Sequence, residues 1–98
     1  MRFDTLVELF IVEDIQDGLG GHIEAERPIG FKYANVEHLS LETTVKIYGE
    51  ALTQNAKAII LGDAGKINKI KIDNVMYKVI SQRKVKNKTV FFLEVDND

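Results

Sequence analysis

His22 and His38 are the only histidines in this chain of 98 residues, and each has a carboxylate close by, Glu24 and Glu37. Such pairs could hold a metal ion or relay a proton, but their spacing here matches no metal or acid–base motif. The carboxylates around His22 could attract calcium, yet they do not fall at the positions a calcium loop requires. Ser40 and Ser81 are the only serines, and neither sits in the context of a nucleophile. There is no cysteine, hence no thiolate chemistry and no disulfide frame. The expectation is a protein that is not an enzyme and needs no cofactor. A metal-dependent hydrolase is the weakest of the alternatives.

The stretch "QDGLGGHIEAERPIGF", Gln16 to Phe31, concentrates four of the seven glycines and the single proline. A phosphate cradle needs glycines that end a strand and open a helix, so that backbone N–H groups face the anion. Here "GLGG" runs into Pro28 and a series of acids. Glu13, Asp14, Asp17, Glu24 and Glu26 stand against Arg27, a field that repels phosphate. The residues therefore argue against a phosphate cradle, and composition alone does not decide whether the stretch is instead a loop that must bend and move. A denser basic set follows late in the chain: Lys66, Lys69, Lys71, Lys78, Arg83, Lys84, Lys86 and Lys88, with Tyr77, Phe91 and Phe92 nearby. On adjacent hairpins these could make a face for single-stranded nucleic acid. The alternative is that Phe91 is core and the lysines guard strand edges.

These residues need elements to position them. "TLVELFIV" (Thr5–Val12) is apolar on both alternating sets and reads as a strand covered on two sides or at a subunit contact. "FKYANVEHL" (Phe31–Leu39) reads as a second strand. "SLETTVKIYGEAL" (Ser40–Leu52) is the one helix candidate. Ser40 could cap it, and Leu41, Val45, Tyr48 and Leu52 form a helical stripe. Gly49 and the β-branched Thr43-Thr44-Val45 run weaken that helix, leaving an extended segment as the other option. Ala56–Gly62, Ile67–Ile72, Val75–Ser81 and Thr89–Val95 read as further strands, joined by turns at Asp63–Lys66, Asp73-Asn74 and Lys86–Lys88. The sum is mainly β: a small antiparallel β-barrel or sandwich of about six strands in one domain, residues 1–98, with one short helix and a long Gly-rich loop after the first strand.

Hydrophobic residues make up 45% and charged residues 29%, enough for one core. The N-terminal run carries acids and is not a signal peptide, and no apolar run reaches the length of a membrane span, so a cytoplasmic origin without membrane contact is expected. The net charge of −2 is split unevenly. Residues 1–53 hold 4 basic and 10 acidic side chains, residues 54–98 hold 9 and 5. This suits either solvated strand faces or a head-to-tail assembly of complementary faces.

Four stretches, taken in order, carry a resemblance: "DGLGGHIEAE" after the first strand, "FKYANVEHLSLET", "INKIKIDNVMYKVIS" and the closing "KTVFFLEVD". Together they make the chain similar to the head–tail connector proteins of long-tailed bacteriophages, the head-closure or stopper group. Tyr33 stands where that family often has tryptophan, and Asn74 where a glycine is usual before Tyr77. These departures leave neighbouring tail-completion and minor capsid groups open.

The resemblance implies a structural head–tail joining protein of a phage or prophage, made in the host bacterial cytoplasm and built into the virion. It would form an oligomeric ring below the portal or adaptor, close the DNA channel, meet a tail-completion protein, and touch packaged DNA without sequence specificity. It further implies a docking or gating loop carrying Asp17, Gly18, Gly20, Gly21, Glu24, Glu26 and Arg27. A second segment ordered on docking would carry Glu42, Lys46, Tyr48 and Gly49. The charge split adds a basic hairpin interface of Lys78, Arg83, Lys84 and Lys86. A small barrel binding single-stranded nucleic acid is the rival from a different class.

Overall fold

Alternation of apolar and polar residues sets the architecture. In the computed structural model, which describes the backbone of residues 2–16, 18–47 and 50–96 and the side chains of those outside 39–53, six strands form one antiparallel sheet. They are β1 (Thr5–Gln16), β2 (His22–Ile47), β3 (Glu50–Leu61), β4 (Lys69–Ile72), β5 (Val75–Val85) and β6 (Lys88–Val95). The order β1-β2-β3-β6-β5-β4 returns to β1, so the sheet closes on itself as a ring. Closure removes the open edges that a small sheet otherwise exposes.

In the described parts of the strands that close the ring, alternate residues point inward. Val7 and Leu9, Ile70 and Ile72, Phe91 and Leu93 supply the bulk of the core, with Ile60, Ile67 and Tyr77. Ala58 stands opposite Phe91 and Ala56 opposite Leu93, so small residues make room for large ones. The seam between β1 and β4 is short, Glu8–Phe10 against Lys71–Lys69. Asn68 extends it: its N–H donates to the Phe10 carbonyl at 3.0 Å, its Oδ1 accepts from the Val12 N–H at 2.9 Å, and its carbonyl accepts from the Val79 N–H. Asp73 and Asn74, both at positive φ, make the two-residue turn between β4 and β5.

Two expectations are corrected. First, Ser40–Leu52 is not helical where it is described. β2 continues to Ile47, β3 begins at Glu50, and the two pair from Thr43↔Gln54 to Ile47↔Glu50. The β-branched residues that cost a helix side-chain freedom favour this ladder. Tyr48 and Gly49 lie outside the described residues. Second, the long Gly-rich loop is mostly strand. His22–Phe31 belongs to β2, and only residues 17–21 connect it to β1. Pro28 is tolerated because β3 pairs with β2 only from Ala34 onward, leaving that edge of β2 without a ladder to break. Ile29 is the extra residue of a bulge, since Leu9 faces Gly30 and Phe10 faces Pro28.

At about 3.3 Å per residue, the 26 residues of β2 would span roughly 86 Å if straight. The longest dimension of the molecule is 48 Å, so β2 is bent. The Ile29 bulge and the register break between His38 and Thr43 are where it departs from regularity.

Candidate docking arms and outer faces

Beyond Phe10, β1 has no β4 partner, and before Ala34, β2 has no β3 partner. Residues 11–16 and 22–28 therefore form a two-stranded arm that leaves the ring. Register assigns its faces. The pairs Ile11↔Arg27, Glu13↔Ala25 and Ile15↔Ile23 continue the inward set of Val7 and Leu9. The pairs Val12↔Glu26, Asp14↔Glu24 and Gln16↔His22 continue the outward set of Leu6 and Glu8. The outward face is acidic. Asp14 lies 3.3 Å from His22 Nδ1, and on the inward face Glu13 lies 3.1 Å from Arg27 Nε.

A clamp fixes the arm to the body. Lys69 Nζ, on β4, donates to Glu26 Oε1 of the arm and contacts Asp96 Oδ2 after β6, each at 2.6 Å. The Lys69 side chain is 20% exposed, Asp96 7% and Glu26 44%. Hydrogen bonds to Asp96 and then Glu26 hold the Lys69 ammonium protonated well above the usual lysine value.

Below the arm, the outward face of β1 and β2 is apolar. Phe31 is 61% exposed, Tyr33 62% and Leu6 49%, and Tyr33 and Leu6 are direct cross-strand partners. Phe31, Glu8 and Lys71 form the next row. Sequence reasoning placed Phe31 and Tyr33 on a strand without marking them as functional. The signal was there in two aromatic residues two apart whose strand already had its core supplied by Ala34.

Beyond the Ala34↔Ile60 pair the outward rows continue from β2 across β3 to the basic residues on β6 and β5. Leu61, Lys88 and Val85 form one outward row, and Ile59, Val90 and Arg83 the next. Leu61 and Val85 are exposed. The expected basic hairpin is divided by this geometry. Arg83 points outward and Lys86 occupies the turn at positive φ, whereas Lys84 follows the inward row of Thr89 and Ile60 and reaches Asp63 Oδ2 at 3.5 Å. The N–H of Gly65 and the Lys84 charge hold Asp63 below the usual carboxylate value. Lys78 lies apart, beyond the β5 irregularity, between Lys69 and Glu94.

The other expected residues scatter. Gly18 and Gly20, both at positive φ, and Gly21 form the arm's turn, while Glu24, Glu26 and Arg27 lie on its strand. Asp17 lies outside the described residues, as do the side chains of Glu42 and Lys46. His22 and His38 are near opposite ends of β2, and His38 Nδ1 lies 3.4 Å from the Tyr77 hydroxyl. Burial raises the Tyr77 phenol above its ordinary value. Among the described residues no group of three or more His, Asp or Glu side chains converges as a metal site. Phe91 is core and Tyr77 nearly so, which removes two of the three aromatics from the expected nucleic-acid face. Among the described residues no helix is long and apolar enough to cross a membrane.

No protein-family model, curated protein or solved structure matches this chain.

Proposed function

We propose that this protein is a bacteriophage head–tail connector of the head-closure type. It is a structural component of the virion, without catalysis or cofactor, read here as a small β-barrel. Its copies form a ring below the portal or adaptor, close the DNA channel after packaging, and offer a surface to the tail-completion protein. The observation that carries this reading is the placement of projections. The strands alternate in direction, so the β1–β2 arm leaves one end of the ring of strands and the paired residues 43–47 and 50–54 leave the other. Both are built on β2, which suits a part held between two other assemblies. The acidic arm suits a channel wall that does not grip DNA, since phosphate repels carboxylate.

The test is deletion of the gene from its phage or prophage, with the chain resupplied in trans. The deletion is expected to give filled heads and separate tails, and the resupplied chain to restore infectious particles. Normal particle yield from the deletion refutes the connector reading.

Phe31 and Tyr33 favour a second reading, because two exposed rings on a sheet face can stack the bases of a single strand. Glu8 in the same row and the carboxylates above weigh against it. Titration of labelled single-stranded DNA at physiological salt separates the two. A connector binds weakly and without sequence preference, whereas sub-micromolar binding lost on Phe31→Ala with Lys71→Ala selects the nucleic-acid barrel.

A further inference from the structure

We infer that the free edge of β5 beside Gln82 and Lys84 receives a short, acidic, extended segment of another protein, which adds to the sheet as a strand. The inference goes beyond the connector reading and does not rest on it. β4 is 4 residues long and pairs with β5 only from Val75 to Lys78. Beyond Lys78, the Val79 N–H donates to the Asn68 carbonyl at 2.9 Å, and among the described residues no further backbone bond joins β5 to the chain that leads into β4. That chain stands off from β5. It is held by the Gln82 side chain, whose Nε2 donates to the Gly65 carbonyl and whose Oε1 accepts from the Ile67 N–H. Between the two opens a cleft of about 530 Å³, lined by Lys66, Ile67 and Asn68 on one wall and by Ile80, Gln82 and Lys84 on the other. Its volume is in the range of clefts that bind ligands.

Register decides which backbone groups are open. The Asp96 N–H donates to the Met76 carbonyl, so Met76 and Lys78 turn their backbone groups to β6, while Tyr77 and Val79 turn theirs away from it. Ile80 is the extra residue of a bulge, since Val79 faces Leu93 and Ser81 faces Phe92. The bulge shifts the alternation by one. Ser81, Arg83 and Val85 then face β6, and Gln82 and Lys84 present an N–H and a carbonyl each to the side that has no strand. Such a row of groups is a template for an incoming strand. Charge selects which strand. Lys66 and Lys84 line the cleft, Asp63 is the one acid among the lining residues, and the stretch from Lys78 to Lys88 contains no acid. The contact of Lys84 with Asp63, 3.5 Å between two exposed side chains, is screened by solvent and leaves Lys84 open to a second carboxylate. Val79 and Ile80, both half-buried, give apolar side chains of the added strand a contact. Main-chain bonds supply the hold, and the lysines favour an acidic strand over a basic one.

The experiment is amide NMR of the whole chain. In the free chain the Gln82 and Lys84 amides are expected to exchange with solvent at least about tenfold faster than that of Arg83, which faces β6. The probe is a capped peptide of about six residues that alternates valine and glutamate. It is expected to bind with a Kd below about 1 mM, to slow the exchange of those two amides and to shift their signals. A peptide with lysine in place of glutamate, and one with proline at its central positions, are expected to bind at least about tenfold more weakly. Lys84→Ala removes one charge and is expected to weaken binding several-fold. Lys84→Pro also removes the open N–H and is expected to abolish binding, while the ladder to β6 is left intact. Both variants are first checked by far-UV circular dichroism, and Lys66→Glu, outside the strands, repeats the charge test if Lys84→Pro does not fold. Gln82 and Lys84 amides as protected as Arg83 in the free chain, no binding at about 1 mM peptide, signals that move only elsewhere, or equal binding of the lysine or proline peptide overturns the inference. Shifts of the same two amides with protein concentration alone assign the edge to a second copy and overturn it as well.

Discussion

Replacing Lys69 by methionine keeps the aliphatic stem and removes the charge that ties the arm to the body. The two contacts it loses are unequal. Asp96 is 7% exposed, and a charge-assisted hydrogen bond in that setting contributes about 1.5–3 kcal/mol. Glu26 is 44% exposed, and solvent screening reduces its share to about 0.2–1 kcal/mol. Lys69→Met is therefore expected to cost roughly 2–4 kcal/mol, part of it from a covered carboxylate that has lost its cation. Urea unfolding of Lys69→Met, Asp96→Asn, Glu26→Gln and the two double variants measures the coupling directly. The Lys69–Asp96 coupling should exceed the Lys69–Glu26 coupling, and arm amides at residues 22–27 should exchange faster in Lys69→Met. The sign with pH follows from the raised Lys69 value. The contribution is complete below the ordinary lysine pKa and is lost only as pH rises toward the folded-state value, so it is constant across the neutral range. A cost within about 0.5 kcal/mol of zero, or equal couplings to the two carboxylates, would refute the assignment of Lys69 as the clamp.

Phe91→Ala empties the centre of the core and is expected to cost about 3–5 kcal/mol in urea unfolding; a cost under 1 kcal/mol would mean that the core is not packed around it. Asn74→Gly should be tolerated because the turn holds that residue at positive φ, whereas Asn74→Val should lower the thermal midpoint by several degrees. Asp63 should titrate below the ordinary carboxylate range in a carbon-detected NMR titration. Its turn contacts are retained above that range and loosen as pH falls through the depressed value, and an ordinary titration would exclude the Gly65 and Lys84 contacts.

The strands from β4 to β6 were legible because alternation and turn chemistry agree. "INKIKI" places Ile70 and Ile72 inward, and Asp73-Asn74 can adopt the left-handed turn that joins the hairpin. The 40–52 segment was misjudged because Leu41, Val45, Tyr48 and Leu52 mark a helical stripe, while Thr43, Val45 and Ile47 equally mark a strand. The ladder to residues 50–54 decides between them, and no local signal reveals that ladder. The arm was missed because its amphipathic faces exist only across strands. Ile15 meets Ile23 and Asp14 meets Glu24 once the register is known, and a run of glycines and acids hides this in one dimension. The Lys69 clamp joins positions 26, 69 and 96, a grouping that only closure of the sheet creates.

The bent strand β2 has a mechanical consequence. Tension applied between the two ends of the molecule runs along one polypeptide segment, held by β1 over its first part and by β3 over its second. Both ladders lie lengthwise to such a pull, so many hydrogen bonds share the load together and none is peeled open first. Bending loads the same strand differently, at the Ile29 bulge and at the break between His38 and Thr43, where its pairing is interrupted. A subunit built this way is stiff when stretched and compliant when flexed.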